Sequence, residues 1–124
     1  GIDIFTRVNY QTVVHNLKDF DVHLHEVDTY RENEYAINTR KKFFESLGTN
    51  KFDIIIDDGH HDATSQLSTF NNFKSYMNKG GVYVIEDIHD TGVEYLSQID
   101  NIEFLHLNDR SHPKRKQYIA QIKF

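Results

Sequence analysis

Lys51–His61 reads KFDIIIDDGHH. Three consecutive isoleucines run into two carboxylates, a glycine and two histidines, the pattern of a buried strand that delivers its C-terminal end to a site. A second stretch answers it at Gly80–His89, GGVYVIEDIH, a glycine-bounded β-branched and aromatic run ending in Glu86, Asp87 and a histidine. Between the two, Asp62–Lys79 has helical spacing and the length of a crossover connection. Strand, helix and strand in that order make a right-handed βαβ unit, so both acidic ends belong on one edge of a parallel sheet. Ligands bind at that carboxyl edge in open α/β sheets, and Asp57, Asp58, His61, Glu86 and Asp87 are expected to converge there.

Outward from this unit, Gly1–Phe5 reads as a short buried strand carrying Asp3, and Arg7–Leu17 as a short helix. Asp21–Tyr30 alternates as a strand with one wetter face and ends at Asp28. Glu32–Leu47 is an amphipathic helix, with Glu32 and Glu34 in its first turn and Gly48 as its C-cap. On the far side, Gly92–Gln98 suits a short helix capped by Asp90 or Thr91. Ile102–Leu107 and Lys116–Phe124 read as a terminal hairpin joined by a polar loop with the only proline, Pro113, giving an antiparallel edge to an otherwise parallel sheet. No repeat, low-complexity tract or linker interrupts the 124 residues, which read as a single α/β domain with one sheet and helices on its faces.

Composition bounds the function. A net charge of -5 argues against a general affinity for nucleic acid or an anionic membrane surface. With no cysteine, disulfide and thiol chemistry are excluded and stability rests on packing. No apolar run spans a bilayer and no signal peptide is visible, so cytoplasmic is the default expectation. The opening Gly1, in what reads as the middle of a strand, points to a cleaved or truncated N-terminus.

GIDIF, a strand ending in Asp28, FDIIIDDGHH, a helix, NKGGVYVIEDIH and a terminal strand pair together resemble the Rossmann-like domain of class I S-adenosylmethionine-dependent methyltransferases. The pairing of FDIIIDDGHH with GGVYVIEDIH is most similar to the metal-dependent sugar O-methyltransferases of macrolide biosynthesis. The resemblance implies a three-layer α/β/α fold, mostly parallel with an antiparallel terminal hairpin. It matches Asp3 to the carboxylate that binds the cofactor's ribose and Asp28 to the acidic position near its adenine, with Asp57 as a further cofactor contact. It matches Asp58, Glu86 and Asp87 to the ligands of a magnesium ion and His61 to the general base. Hard oxygen ligands suit Mg²⁺, which makes a sugar hydroxyl beside it more acidic, and a neutral histidine can take the proton as the oxygen attacks the methyl group.

The family's first strand and glycine-rich loop precede the strand matched by Gly1–Phe5, and this sequence has no counterpart to them. The expectation is a domain without its first strand and helix, which binds S-adenosylmethionine poorly unless the missing element is supplied. An incomplete sheet also leaves edges or apolar faces that a second copy of the chain could cover.

Blander readings stand beside these. Asp3 can simply end a strand, and Asp28 can be a turn residue. Asp57 or Asp58 can cap the following helix. His60 and His89 read as neighbours of the site, and His23 and His25 as a wet strand face with zinc-compatible spacing. Tyr35, Phe43 and Phe44 read as core, and Lys114–Lys116 as a solvated basic run. Against the capping reading, two acidic pairs on adjacent strand ends repel unless a cation or protons intervene. Three functions follow: a Mg²⁺-dependent O-methyltransferase acting on a sugar or polyol hydroxyl, an inactive methyltransferase-like binding or assembly module, and another metal-dependent enzyme such as a hydrolase.

Overall fold

The structure is a computed structural model that describes residues 2–3, 10–19, 23–107 and 117–124. The expected Pro113 loop and Lys114–Lys116 lie outside these residues, as does most of the Gly1–Phe5 strand. The chain forms two compact units, residues 1–48 and 49–124.

In the first unit, β1 (Ile2–Asp3) pairs in parallel with β2 (His25–Glu26), Ile2 opposite His25 and Asp3 opposite Glu26. Helix α1 spans Tyr10–Asn16 and α2 spans Glu34–Leu47. Asn33 caps α2 by accepting the Ala36 N–H, which places Glu32 outside the helix rather than in its first turn. Gly48 ends it with φ 59, a conformation that costs glycine least. The buried stripe of α2 is Ala36, Arg40 and Phe43. Tyr35, expected in the core, is exposed, and its hydroxyl donates to the Glu26 carboxylate. Arg40 is buried because its guanidinium donates to the carbonyls of Asp28 (3.1 Å) and Arg31 (2.6 Å) and pairs with Glu32 (3.0 Å).

The second unit holds β3 (Phe52–Asp57), α3 (Ala63–Phe73), β4 (Met77–His89), α4 (Asp90–Leu96), β5 (Ile102–Leu107) and β6 (Gln117–Lys123). Its four-stranded sheet has the order β3-β4-β6-β5, with β3 and β4 parallel and the other two pairings antiparallel. The βαβ unit and the terminal hairpin are therefore as expected, and the fold is α/β with a mixed sheet flanked by helices. The expected single sheet is a correction, because β1–β2 and the four-stranded sheet are separate among the described residues.

Register decides which face is covered. Ile55 and Asp57 stand beside Tyr83 and Ile85, and beyond them Ile122 and Ala120. This face packs under α3, with Phe70 edge-on to Tyr83 at 5.2 Å, and Tyr83, Ile85 and Ala120 are fully buried. Helix α4 lies against α3, where Gly92 comes close to Ala63 and Ile88. The alternate residues Ile54 and Ile56 are 65% and 61% exposed, and Leu105 is exposed as well. No helix among the described residues is long and apolar enough to cross a membrane.

Candidate metal centre

Parallel pairing of β3 with β4 sets Asp57 opposite Ile85, so both strands deliver their carboxyl ends to the same edge. Past β3, the Asp57 carboxylate accepts the Gly59 N–H at 3.2 Å and closes a tight turn. Asp62 then caps α3 by accepting the N–H groups of Thr64 and Ser65. Neither Asp57 nor Asp58 caps the helix, which corrects that expectation: the helix starts at Ala63, beyond the reach of both. The segment between strand and helix is left to hold Asp58 and His61 outward, and both are exposed.

At the end of β4, Asp87 takes φ 52, a left-handed conformation rare for a residue with a Cβ. Two glutamines hold this point. Gln66 reaches from α3 to donate to the Glu86 carbonyl at 3.0 Å, and Gln117 on β6 donates to Asp87 Oδ1 at 3.4 Å. Asp87 Oδ2 then lies 3.3 Å from His61 Nδ1, and Asp58 Oδ1 lies 3.8 Å from His61 Nε2. One ligand atom from each of Asp58, His61 and Asp87 falls within 4.8 Å of the other two.

The chemistry of this donor set fits a divalent cation. Mg²⁺ is commonly held by one or two carboxylates and keeps other positions open, at Mg–O distances of about 2.0–2.1 Å. The carboxylates of Asp58 and Asp87 would hold such an ion, with the His61 imidazole beside it. A neutral imidazole has a single N–H, so it can donate to only one of the two carboxylates it faces. A cation held by the two carboxylates would remove that mismatch and leave a ring nitrogen to accept a proton.

Of the expected metal ligands, Asp58 and Asp87 come together while Glu86 stays outside the cluster, so the third member is His61. The alternation of β4 separates the side chains of Glu86 and Asp87, and the left-handed turn at Asp87 re-aims only the latter. The expected cofactor contacts fare differently. Asp57 is 7% exposed, with the Tyr83 hydroxyl 3.4 Å from Oδ2. Burial pushes its carboxyl up to about 6 against the hydrogen bonds from Gly59 and Tyr83, and the same burial, with Asp57 beside it, raises the Tyr83 phenol. Asp28, 1% exposed, spends its carboxylate on the N–H groups of Tyr30 and Arg31 and on the Arg31 guanidinium at 3.0 Å. Its carboxylate closes a turn over Tyr30 and Arg31. The side chain of Asp3 lies outside the described residues. His25 packs edge-on against Phe43 at 5.1 Å.

Two residues of the site escaped the sequence reading. Gln66 carries a signal, because it falls on the stripe shared with Phe70 and Phe73 where an apolar residue belongs. Gln117 carries none, since only the β4–β6 register, His89 opposite Gln117, brings it to Asp87.

No protein-family model and no curated protein matches the chain. Among solved structures it is similar to an rRNA methylase from Streptococcus thermophilus, at 13% identity and TM-score 0.43, over 98% of this chain and 84% of that one. It is also similar to a protein assigned as an rRNA methylase from Clostridium thermocellum, at 12% identity and TM-score 0.47, over 99% of this chain and 88% of that one.

Proposed function

We propose that this chain is a Mg²⁺-dependent O-methyltransferase that draws its methyl group from S-adenosylmethionine and acts on a sugar or polyol hydroxyl. The observation that carries this reading is the meeting of Asp58, His61 and Asp87 at the carboxyl ends of two adjacent parallel strands. The likeness of FDIIIDDGHH and GGVYVIEDIH to the metal-dependent sugar methyltransferases supports the choice of reaction.

Asp58 and Asp87 would hold the cation, which supplies Lewis acidity that lowers the pKa of an acceptor hydroxyl next to it. His61 lies beside both carboxylates and takes the acceptor's proton at a ring nitrogen. The two carboxylates stabilise the imidazolium so formed. Gln117 keeps one oxygen of Asp87 engaged and so fixes the direction of the other. Asp28 and Asp57 are buried in turns of their own, their carboxylates engaged by Tyr30 and Arg31 and by Gly59 and Tyr83.

That last observation favours one second reading, a metal-dependent hydrolase that uses the same cluster without a methyl donor. The test is transfer of labelled methyl from S-adenosylmethionine to a panel of sugars, with and without Mg²⁺, using wild type, Asp58→Asn and His61→Ala. Metal-dependent transfer lost in both variants supports the methyltransferase. Metal-dependent ester or phosphoester cleavage without the methyl donor supports the hydrolase and refutes the methyltransferase.

A further inference from the structure

The ladders on both sides of β4 give out where the cluster of Asp58, His61 and Asp87 begins. The parallel register with β3 ends at Asp57 opposite Ile85, and the antiparallel register with β6 shifts between Ile85 and Ile88. Glu86 and Asp87 therefore stand together opposite the single residue Ile119, a β-bulge, and neither has a register partner on either neighbouring strand. Backbone left out of a ladder needs another hold if a left-handed residue such as Asp87 is to keep its conformation.

Gln66 supplies that hold. Its Nε2 donates to the Glu86 carbonyl at 3.0 Å, and that carbonyl and the Asp87 N–H are the two ends of one planar peptide unit. Fixing the unit fixes the plane from which the φ of Asp87 is measured, and φ in turn directs the Asp87 side chain. The backbone N–H of Gln66 donates to the Asp62 carbonyl at 2.9 Å, one residue beyond His61. A single residue thus ties the bulge that carries Asp87 to the segment that carries Asp58 and His61.

Stability alone does not account for a glutamine at this position. Gln66 is 2% exposed and lies on the buried stripe of α3 with Phe70 and Phe73. Its Oε1 is the one buried side-chain nitrogen or oxygen among the described residues without a hydrogen-bond partner. An unpaired buried acceptor costs at least as much as one good hydrogen bond returns, so an apolar side chain of the same length would leave the fold no less stable.

We propose that Gln66 is the positioning residue of the cation site: through the Glu86–Asp87 peptide it holds the Asp87 carboxylate toward Asp58 and His61, and so sets the affinity for Mg²⁺. This rests on the cation site proposed for Asp58 and Asp87, whichever reaction that site carries out.

Gln66→Met keeps the length of the side chain and removes both the donor and the unpaired oxygen. Phe73→Leu, at the far end of α3, is the control, since it weakens the core without touching the bulge. The experiment is calorimetric titration of the intact chain and both variants with Mg²⁺. Thermal melts accompany it, with the Cα carbon resonance of Asp87 in the metal-free chains, which reports the backbone conformation there. Gln66→Met should melt close to wild type, shift the Asp87 resonance and bind Mg²⁺ at least about tenfold more weakly. Phe73→Leu should melt lower and leave both the resonance and the affinity as they are. Wild-type affinity or an unmoved Asp87 resonance in folded Gln66→Met overturns the positioning role alone, and so does an equal loss of affinity in Phe73→Leu. No Mg²⁺ binding by the wild type overturns the cation site, and this proposal with it.

Discussion

Asp57 is a carboxyl whose burial sets its charge. Its burial raises it to about 6 in the folded chain, against roughly 3.9 when unfolded. Between those values the folded state holds a proton that the unfolded chain has released, so its contribution to stability falls as pH rises from 4 to 6 and levels off above. The amide of Asp57→Asn can accept from Gly59 and donate to the Tyr83 oxygen without carrying charge. Urea unfolding at pH 4 and pH 7 should show the variant gaining on the wild type by up to about 3 kcal/mol at the higher pH. A gap unchanged with pH would mean that the carboxyl is not held protonated. Asp87 separates stability from function in the opposite sense. Its left-handed backbone costs about 1 kcal/mol for a residue with a Cβ. Asp87→Gly should therefore melt no lower than wild type, while its Mg²⁺ affinity in calorimetry falls at least about tenfold. The site's residues were legible where chemistry shows in composition, as in DDGHH and ED, and illegible where backbone geometry decides. Nothing in Glu86–Asp87 tells which of the two turns toward His61; the positive φ at Asp87 does.

At the scale of elements, β3, α3, β4 and the terminal hairpin were read correctly because each has a strong period bounded by glycine or polar residues. The errors lie at their ends. Strand β4 begins at Met77, three residues before the expected Gly80, because a register shift between Phe52 and Ile54 lets Met77 pair with Phe52. Helix α4 begins at Asp90 with His89 at its N-cap position, so Asp90 is its first residue and not its cap. The shift in β4 depends on Gly81, where a Cβ would stand 3.0 Å from the backbone oxygens of Asp53 and Asn78. Gly81→Ala should cost about 1–3 kcal/mol in chemical denaturation, because those oxygens belong to the sheet and cannot move aside cheaply. Wild-type stability in that variant would mean the two strands do not approach so closely. Strand β2, expected over Asp21–Tyr30, pairs only at His25–Glu26 among the described residues, because Asp28 and the following turn leave the ladder to hold Arg31.

Over the whole molecule, α/β class and the meeting of two strand ends followed from the order of apolar runs alone, since a right-handed crossover leaves parallel strands little choice. That β1–β2 and the four-stranded sheet share no ladder among the described residues did not follow, because local periodicity carries no information about which strands pair. A net charge of -5 is compatible with a site that gathers carboxylates around a cation, and the proposed chemistry requires that cation. The direct measurement is calorimetric titration of the intact chain with Mg²⁺, beside the double variant Asp58→Asn, Asp87→Asn, with circular dichroism to verify that both are folded. The predicted result is one saturable site in the wild type that is absent from the folded variant. Equal binding by both chains, or none by the wild type at millimolar Mg²⁺, would contradict it.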